Sequence, residues 1–352
     1  MSSTFGKMFS VTTWGESHGV AVGAVVDGCP AGVALSESSV QPFLDRRKPG
    51  GSPFASGRKE EDKVQILSGV FEGKTTGTPI SLIIYNNDVR PQDYNKTAYR
   101  PGHADYTYDL KYGFRDYRGG GRASGRETAA RVAAGAVARL FLAELGVDIQ
   151  AYTHSIGDVE VENVDFSIKN DLNMPDEKAY LRAVELVEKV AGAGDSLGGK
   201  IFCRITGVPD GVGEPVFDKL EAVLAHAMLS IGAVKSFEFG DWENKMTGSE
   251  YNDWLYSENG VIKKKSNHAG GIYGGISDGS EIYFKVAVKP TPSIALPQAS
   301  VDTDGNNIVV ETKGRHDPLI VPRAVAVVEA MAGIVLADLV LVGLSANVCQ
   351  FR

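Results

Sequence analysis

The sequence predicts an α/β fold, organised as one domain (residues 1–352) with long functional loops. Segments with strand-like alternation or short β-branched runs are interleaved with segments of helical periodicity, and no fixed-period repeat runs through the 352 residues. Polar stretches rich in glycine and proline, longer than ordinary turns, separate them. With 43% hydrophobic and 23% charged residues, the composition is that of a globular chain with ample length for a large core.

Residues 10–19, SVTTWGESHG, read as a strand entering a loop where Gly15 and Gly19 bracket Glu16, Ser17 and His18; residues 20–27 read as the next strand. Ser36 to Arg47 reads as a capped amphipathic helix, with Ser36 and Ser39 both candidate caps. It runs into RRKPGGSPFASGRKEED, a long polar, basic loop of the kind that is either disordered or a lid over a site. Strands are expected at 64–71 and 79–85, joined by GKTTGTP, and a loop at 86–110. Within that loop, Pro101 and Gly102 turn RPGHAD so that His103 sits beside Arg100 and Asp105. An Ala-rich helix follows to about Leu145 and stops at Gly146; Ala129, Ala133, Ala134 and Ala136 suit close neighbours and a central place.

Residues 176–191 read as a surface helix, 199–206 as a strand, and 215–230 as a helix. Residues 240–268 read as polar and irregular, and 267–279, NHAGGIYGGISDG, as a glycine-rich loop. EIYFKVAVK (281–289) alternates as a strand should and leads into KPTPS (289–293). A hairpin about Asp304-Gly305, the loop KGRHDP (313–318) and a long helix close the chain. Residues 324–345 are strongly apolar, but Glu329 and Asp338 would be costly at a bilayer centre, so the segment reads as a helix buried in a core or a subunit interface.

The most informative stretch is Lys111 to Arg139, KYGFRDYRGGGRASGRETAARVAAGAVAR. Seven cations are threaded through it, Gly119–Gly121 sit in the middle, and Ser124 with Glu127 forms an S-x-x-E capping box that starts a helix near Gly125. A basic, glycine-rich loop feeding a helix N-terminus suits an anion, because free N–H groups and arginine forks converge there. The spacing matches neither a P-loop nor a dinucleotide fingerprint. Net charge is −8, so these cations are local features on an acidic background and favour a small anionic ligand over a nucleic acid.

Cys29, Cys203 and Cys349 show neither pairing nor metal spacing, which suits a reducing cytoplasm, and the N-terminus has no signal-peptide pattern. His18, His103 and His316 show no metal spacing, and no G-x-S-x-G elbow is present. Three loops hold titratable clusters: Ser17 and His18; Arg100 and His103; Arg315, His316 and Asp317. Each alone also reads as an ordinary turn. KPTPS suits a phosphomonoester such as a flavin mononucleotide tail, and equally a strand-ending turn with a surface lysine. NHAGGIYGGISDG reads either as a close approach to a flat ligand or as a mobile turn.

Together, GESHG (15–19), RPGHADYTYDLKYGFRDYRGGGR (100–122), SGRETAARVAAGA (124–136), NHAGGIYGGISDG, KPTPS and KGRHDP resemble the chorismate synthase family, in its order and over nearly the whole chain. The resemblance implies a β-α-β sandwich, a homotetramer, and a metal-free lyase. The reaction it implies is anti 1,4-elimination of phosphate from 5-enolpyruvylshikimate 3-phosphate to give chorismate, with reduced FMN and no net redox change. It implies that His18 protonates the leaving phosphate, that His103 hydrogen-bonds the reduced flavin, and that Asp317 lies near flavin N5 and helps relay the C6 proton. Ser17, Arg47, Arg100, Arg126 and Arg315 resemble substrate-binding positions. Arg122, Ala123, Ser124, Gly232, Ala233, Gly274, Lys289, Pro290, Thr291, Pro292, Ser293 and Arg315 resemble flavin contacts. The chain departs from the family pattern at Pro53, where arginine is frequent, so that one loop cation is either missing or replaced by Arg58, at Ala123 (serine) and at Gly232 (asparagine). Position 123 is still expected to offer its backbone N–H. A chain without an added domain implies an external flavin reductant. A flavoenzyme with true redox turnover and a non-catalytic polyanion binder are the competing classes; the second predicts binding that falls steeply with salt.

Overall fold

The structure is a computed structural model that describes residues 3–48, 54, 60–241, 246–311 and 317–347. Pro53, Arg58, Arg315, His316 and Cys349 therefore lie outside the described residues. Two five-stranded antiparallel sheets enclose a helical layer. The first sheet contains β1 (Thr4–Phe5), β2 (Ser10–Trp14), β3 (Ala21–Asp27), β4 (Val64–Ile66) and β5 (Ile80–Tyr85), in the order β1-β2-β3-β5-β4. The second contains β6 (Asp148–Ile156), β7 (Val159–Glu160), β8 (Gly199–Thr206), β9 (Val234–Phe239) and β10 (Ile282–Val288), in the order β9-β10-β8-β6-β7. The helices of eight residues or more are α1 (Glu37–Arg47), α2 (Asp105–Tyr112), α3 (Thr128–Ala143), α4 (Glu177–Gly192), α5 (Leu220–Leu229) and α6 (Val321–Gly343).

The α1 helix starts where its serines demand: Ser36 Oγ accepts the Ser39 N–H at 3.3 Å and Ser39 Oγ accepts the Ser36 N–H at 3.0 Å, so both candidate caps serve one box. The centre of the sandwich is α3 against α6, with α3 also on the first sheet and α6 on the second. They approach closely because both carry small residues: a Cβ on Gly135 would lie 2.4 Å from Ala330 Cβ. One buried hydrophobic cluster runs through both sheets and the helices between them.

The α6 helix is long and apolar enough to cross a membrane by length and composition, but it is buried inside the protein. Its charges are satisfied there. Glu329 takes both Arg46 guanidinium nitrogens at 2.5 and 2.9 Å, Arg139 at 2.7 Å, and the Ala151 N–H at 2.9 Å. Asp338 accepts the N–H groups of Lys7, Met8 and Phe9 at 2.9, 2.6 and 2.9 Å. A buried carboxylate is tolerated when so paired.

Several expectations need correction. The loop at 86–110 ends early, because α2 begins at Asp105. The helix read at 215–230 begins only at Leu220, after a turn in which Val216 has φ +69°. Residues 240–268 and 267–279 contain short hairpins, Leu255–Glu258 with Val261–Lys264 and Ile272–Tyr273 with Ile276–Ser277. Ser124 does cap, accepting the Arg126 N–H at 3.3 Å, but it opens a single 3₁₀ turn and the α-helix follows at Thr128. Glu127 does not close the box; its carboxylate accepts Thr13 Oγ1 at 2.8 Å and Arg131 Nε at 2.9 Å, since those partners bind a buried charge better than one amide does.

Candidate active site

A cleft of about 870 Å³ opens at one end of the sandwich, where loop and helix ends from both halves of the chain meet. The β2–β3 loop brings Ser17 and His18, both buried. Asn86, just beyond β5, fixes that loop by donating to the Glu16 and Gly19 carbonyls at 3.0 and 2.9 Å. The His18 ring meets Tyr94 edge to face at 5.0 Å.

The Gly119–Gly121 loop is packed between the two histidines. A Cβ on Gly119 would lie 2.4 Å from His18 Nδ1, and one on Gly120 would lie 2.5 Å from His103 Cε1. Both glycines are left-handed, at φ +64° and +82°, so neither the space nor the backbone admits a side chain. The Gly121 carbonyl accepts the Ser17 N–H at 3.3 Å.

His103 is held by Asp105, whose Oδ1 lies 3.0 Å from His103 Nδ1, while Arg100 grips the same carboxylate through Nε and Nη2, both at 2.8 Å. Burial would raise the Asp105 pKa, but the Arg100 and His103 hydrogen bonds hold it well below the usual carboxylate range. The ionised carboxylate assigns the Nδ1 proton to that bond and leaves His103 Nε2 for the cleft.

The arginines divide by what they touch. Arg47 is buried and donates to Asp62 Oδ2 at 2.8 Å, Thr128 Oγ1 at 3.1 Å and the Gly125 carbonyl at 3.0 Å. Burial, with Arg323 and Arg126 nearby, pushes its pKa down to about 10 against the pull of Asp62. Arg126 pairs with the other Asp62 oxygen and donates to Asn86 Oδ1 at 2.8 Å and the Tyr85 carbonyl at 3.2 Å. Asp62 thus sits between two buried guanidinium groups, which outweigh its burial and keep it ionised. Arg122 donates to Thr13 Oγ1 at 2.8 Å and the Gly15 carbonyl at 3.3 Å. Arg323, at the start of α6, donates to Asp317 Oδ2 at 3.0 Å and to the Arg47 carbonyl at 3.2 Å.

The Lys289 ammonium donates to the Gly102 carbonyl at 2.7 Å, so KPTPS and RPGHAD meet. Thr291, Pro292 and Ser293 line the same wall with Gly232 and Ala233. Of the residues singled out in the sequence, the cleft also gathers Ala123, Ser124 and Asp317. Ser17 is buried directly behind it, with Oγ 3.2 Å from where a Gly119 Cβ would be. Two are not brought to it. Gly274 is exposed at a hairpin tip that leans on the start of α5, where the Gly275 carbonyl accepts the Leu220 N–H at 2.9 Å; the cleft lies at the far end of that helix. Pro290 faces Gly198 instead. The Ala123 N–H is not offered to a ligand either, because it closes the 3₁₀ turn on the Gly120 carbonyl at 2.8 Å. The sequence reading missed Asp62, Arg323, Tyr94 and Lys235. Among the described residues, no group of three His, Cys, Asp or Glu is placed to hold a metal.

A two-sheet sandwich whose mouth carries two positioned histidines and an arginine-rich wall defines an enzyme built for a small polyanionic substrate. The family profile described as chorismate synthase matches residues 9–341. A chorismate synthase from Lachnoclostridium phytofermentans is 57% identical, covering 98% of this chain and 96% of that one, and one from Lachnospira eligens is 55% identical, covering 99% and 98%. A solved structure described as the crystal structure of chorismate synthase superimposes with a TM-score of 0.76 at 32% identity, covering 97% of this chain and 94% of that chain. The chain belongs to the chorismate synthase family, whose members are carbon–oxygen lyases of aromatic amino-acid biosynthesis that depend in general on a flavin.

Proposed function

We propose that this protein eliminates phosphate from 5-enolpyruvylshikimate 3-phosphate to give chorismate, with reduced FMN bound in the cleft described above. The observation that carries the reading is the meeting of His18, His103 and the arginine cluster around one glycine loop, in a chain of this family. The residues fit FMN on their own chemistry. Lys289 with the Thr291 and Ser293 hydroxyls suits a phosphomonoester, and Thr291 Oγ1 is a buried oxygen without a hydrogen-bond partner among the described residues. Gly232 adds a side-chain-free stretch of wall where a flat ring system can lie close, since nothing stands within 4 Å of where its Cβ would be.

Reduced FMN, when bound, supplies an electron transiently to weaken the C–O bond and recovers it, so the net reaction is redox-neutral. The protein does the rest. Arg100 and Arg126, with Arg47 behind them, set a positive potential for two carboxylates and a phosphate, and exclusion of water strengthens it. His18 gives a proton to the departing phosphate. His103, its Nδ1 fixed by Asp105, offers Nε2 to the reduced flavin. Asp317, steadied by Arg323, helps relay the C6 proton. Arg122 and Ser124 border the flavin, and Ser17 and Arg315 complete the substrate side. We further propose a homotetramer, a cytoplasmic location, and an external reductant for the flavin.

Under anaerobic conditions with reduced FMN, the protein is expected to release chorismate and phosphate in equal amounts; absence of both products overturns the reading. His18→Ala and Asp317→Asn are expected to lower kcat by at least about 100-fold with FMN affinity nearly unchanged. Oxidised FMN with NADPH alone is expected to give no product; turnover there would show that the chain reduces its own flavin.

A further inference from the structure

We propose that Lys235 is a second cation for the flavin mononucleotide phosphate, acting with Lys289 and Thr291. The inference rests on the flavin reading above. It begins in the strand register. Val234 pairs with Val288 and Ser236 pairs with Ala287, so Lys235 has no partner and forms a β-bulge at the start of β9. A bulge re-aims the residue it displaces, and Lys235 lines the cleft on the same wall as Lys289, Thr291 and Ser293. The preceding residue, Ala233, holds φ +72°, a conformation that a residue with a Cβ adopts only when its surroundings fix it. It is fixed by the Ala233 carbonyl, which accepts the Lys289 N–H at 2.9 Å. The distorted turn out of α5 and the end of β10 are thereby locked together, one lysine from each.

Two ammonium groups brought together repel unless an anion lies between them. Burial, and then the Lys235 charge, lower the Lys289 pKa, and the partner of the Lys289 ammonium is the neutral Gly102 carbonyl. Beside them Thr291 Oγ1 is buried without a hydrogen-bond partner among the described residues. Two point cations and a hydroxyl match a dianionic phosphomonoester, whereas one carboxylate needs one cation. Two sources of that group exist, the FMN tail and the substrate's own 3-phosphate. The position next to KPTPS, on which the flavin reading already places the tail, favours the tail, and a substrate titration separates the two.

The test uses the full chain with Lys235→Gln and Lys235→Arg, titrated with oxidised FMN and, separately, with riboflavin, reading flavin fluorescence. Lys235→Gln is expected to weaken FMN by about tenfold to 100-fold while leaving riboflavin unchanged, and Lys235→Arg to retain most of the FMN affinity. Riboflavin binding also reports that the variant is folded. An unchanged ratio of FMN to riboflavin affinity overturns the assignment. So does a variant that keeps FMN but loses affinity for 5-enolpyruvylshikimate 3-phosphate, which would give Lys235 to the substrate. A wild-type protein that binds neither flavin sinks the flavin reading itself.

Discussion

Single residues decide the chemistry of this cleft through what they leave out as much as through what they add. Gly119 and Gly120 present bare backbone to the His18 and His103 rings, at distances no Cβ could occupy. Gly119→Ala or Gly120→Ala must displace a ring and also strain a left-handed backbone. A displacement near 1 Å is enough to cost about 100-fold in turnover, so each variant is expected to lose at least that much kcat while its circular dichroism stays native. Wild-type turnover in either would show that the rings have no fixed place. The Lys111–Arg139 motif was legible in sequence because glycines, arginines and a cap cluster there, yet the job of its glycines was not. In sequence they read as part of a loop that suits an anion, and the structure packs them against the two histidines. Asp62 was not legible at all: within KEED it is one acid among several, and only the fold brings it between Arg47 and Arg126. Lys235 and Arg323 are single cations in ordinary strand and helix sequence, without a local pattern to mark them.

At the scale of elements, the periodicities of α1, α3, α4 and β10 were read within a few residues because each has caps or clean alternation. The β6 strand, DIQAYTHSI, was passed over; its inward positions include Thr153 and Ser155, too polar to stand out as a hydrophobic alternation, yet both are buried. The α2 helix was hidden by Pro101 and Gly102 just upstream, which punctuate the chain but do not forbid a helix three residues later. Helices α3 and α6 approach closely where Gly135 faces Ala330. Gly135→Val adds bulk where Ala330 already stands 2.4 Å from the missing Cβ, so overpacking is expected to cost about 1–3 kcal/mol. A lowered urea midpoint at fixed protein concentration checks it; an unchanged midpoint would mean the two helices part without cost.

For the whole molecule, the apolar C-terminal segment was a candidate subunit interface, and the fold removes it from that role by burying it within its own chain. Exposed apolar surface lies elsewhere. On the hairpin Leu255–Glu258 with Val261–Lys264, Leu255 is 66% and Ile262 75% exposed, with Trp254 at its base also exposed. In the proposed tetramer, a patch of this kind is the candidate association surface. Leu255→Lys with Ile262→Lys is expected to yield a smaller species in sedimentation at the concentration where the wild type is tetrameric. A tetramer that survives both charges would place the interface on another face.

The sequence by itself determined the family, the α/β class and the loops that hold His18, Arg100, His103, Arg122 and Arg126, because loop chemistry is written in contiguous motifs and periodicity is a local property. It did not determine which cations answer to which anions. Arg46 and Arg47 are neighbours in α1, yet one neutralises Glu329 in the core and the other joins Asp62 behind the cleft. Adjacent helix positions point about 100° apart, and only the packing of other elements around them decides what each direction meets. The same holds at Lys235, whose place in the cleft comes from a register slip between two strands nearly 50 residues apart in sequence. No local pattern carries that information, since it arises only when both strands pair.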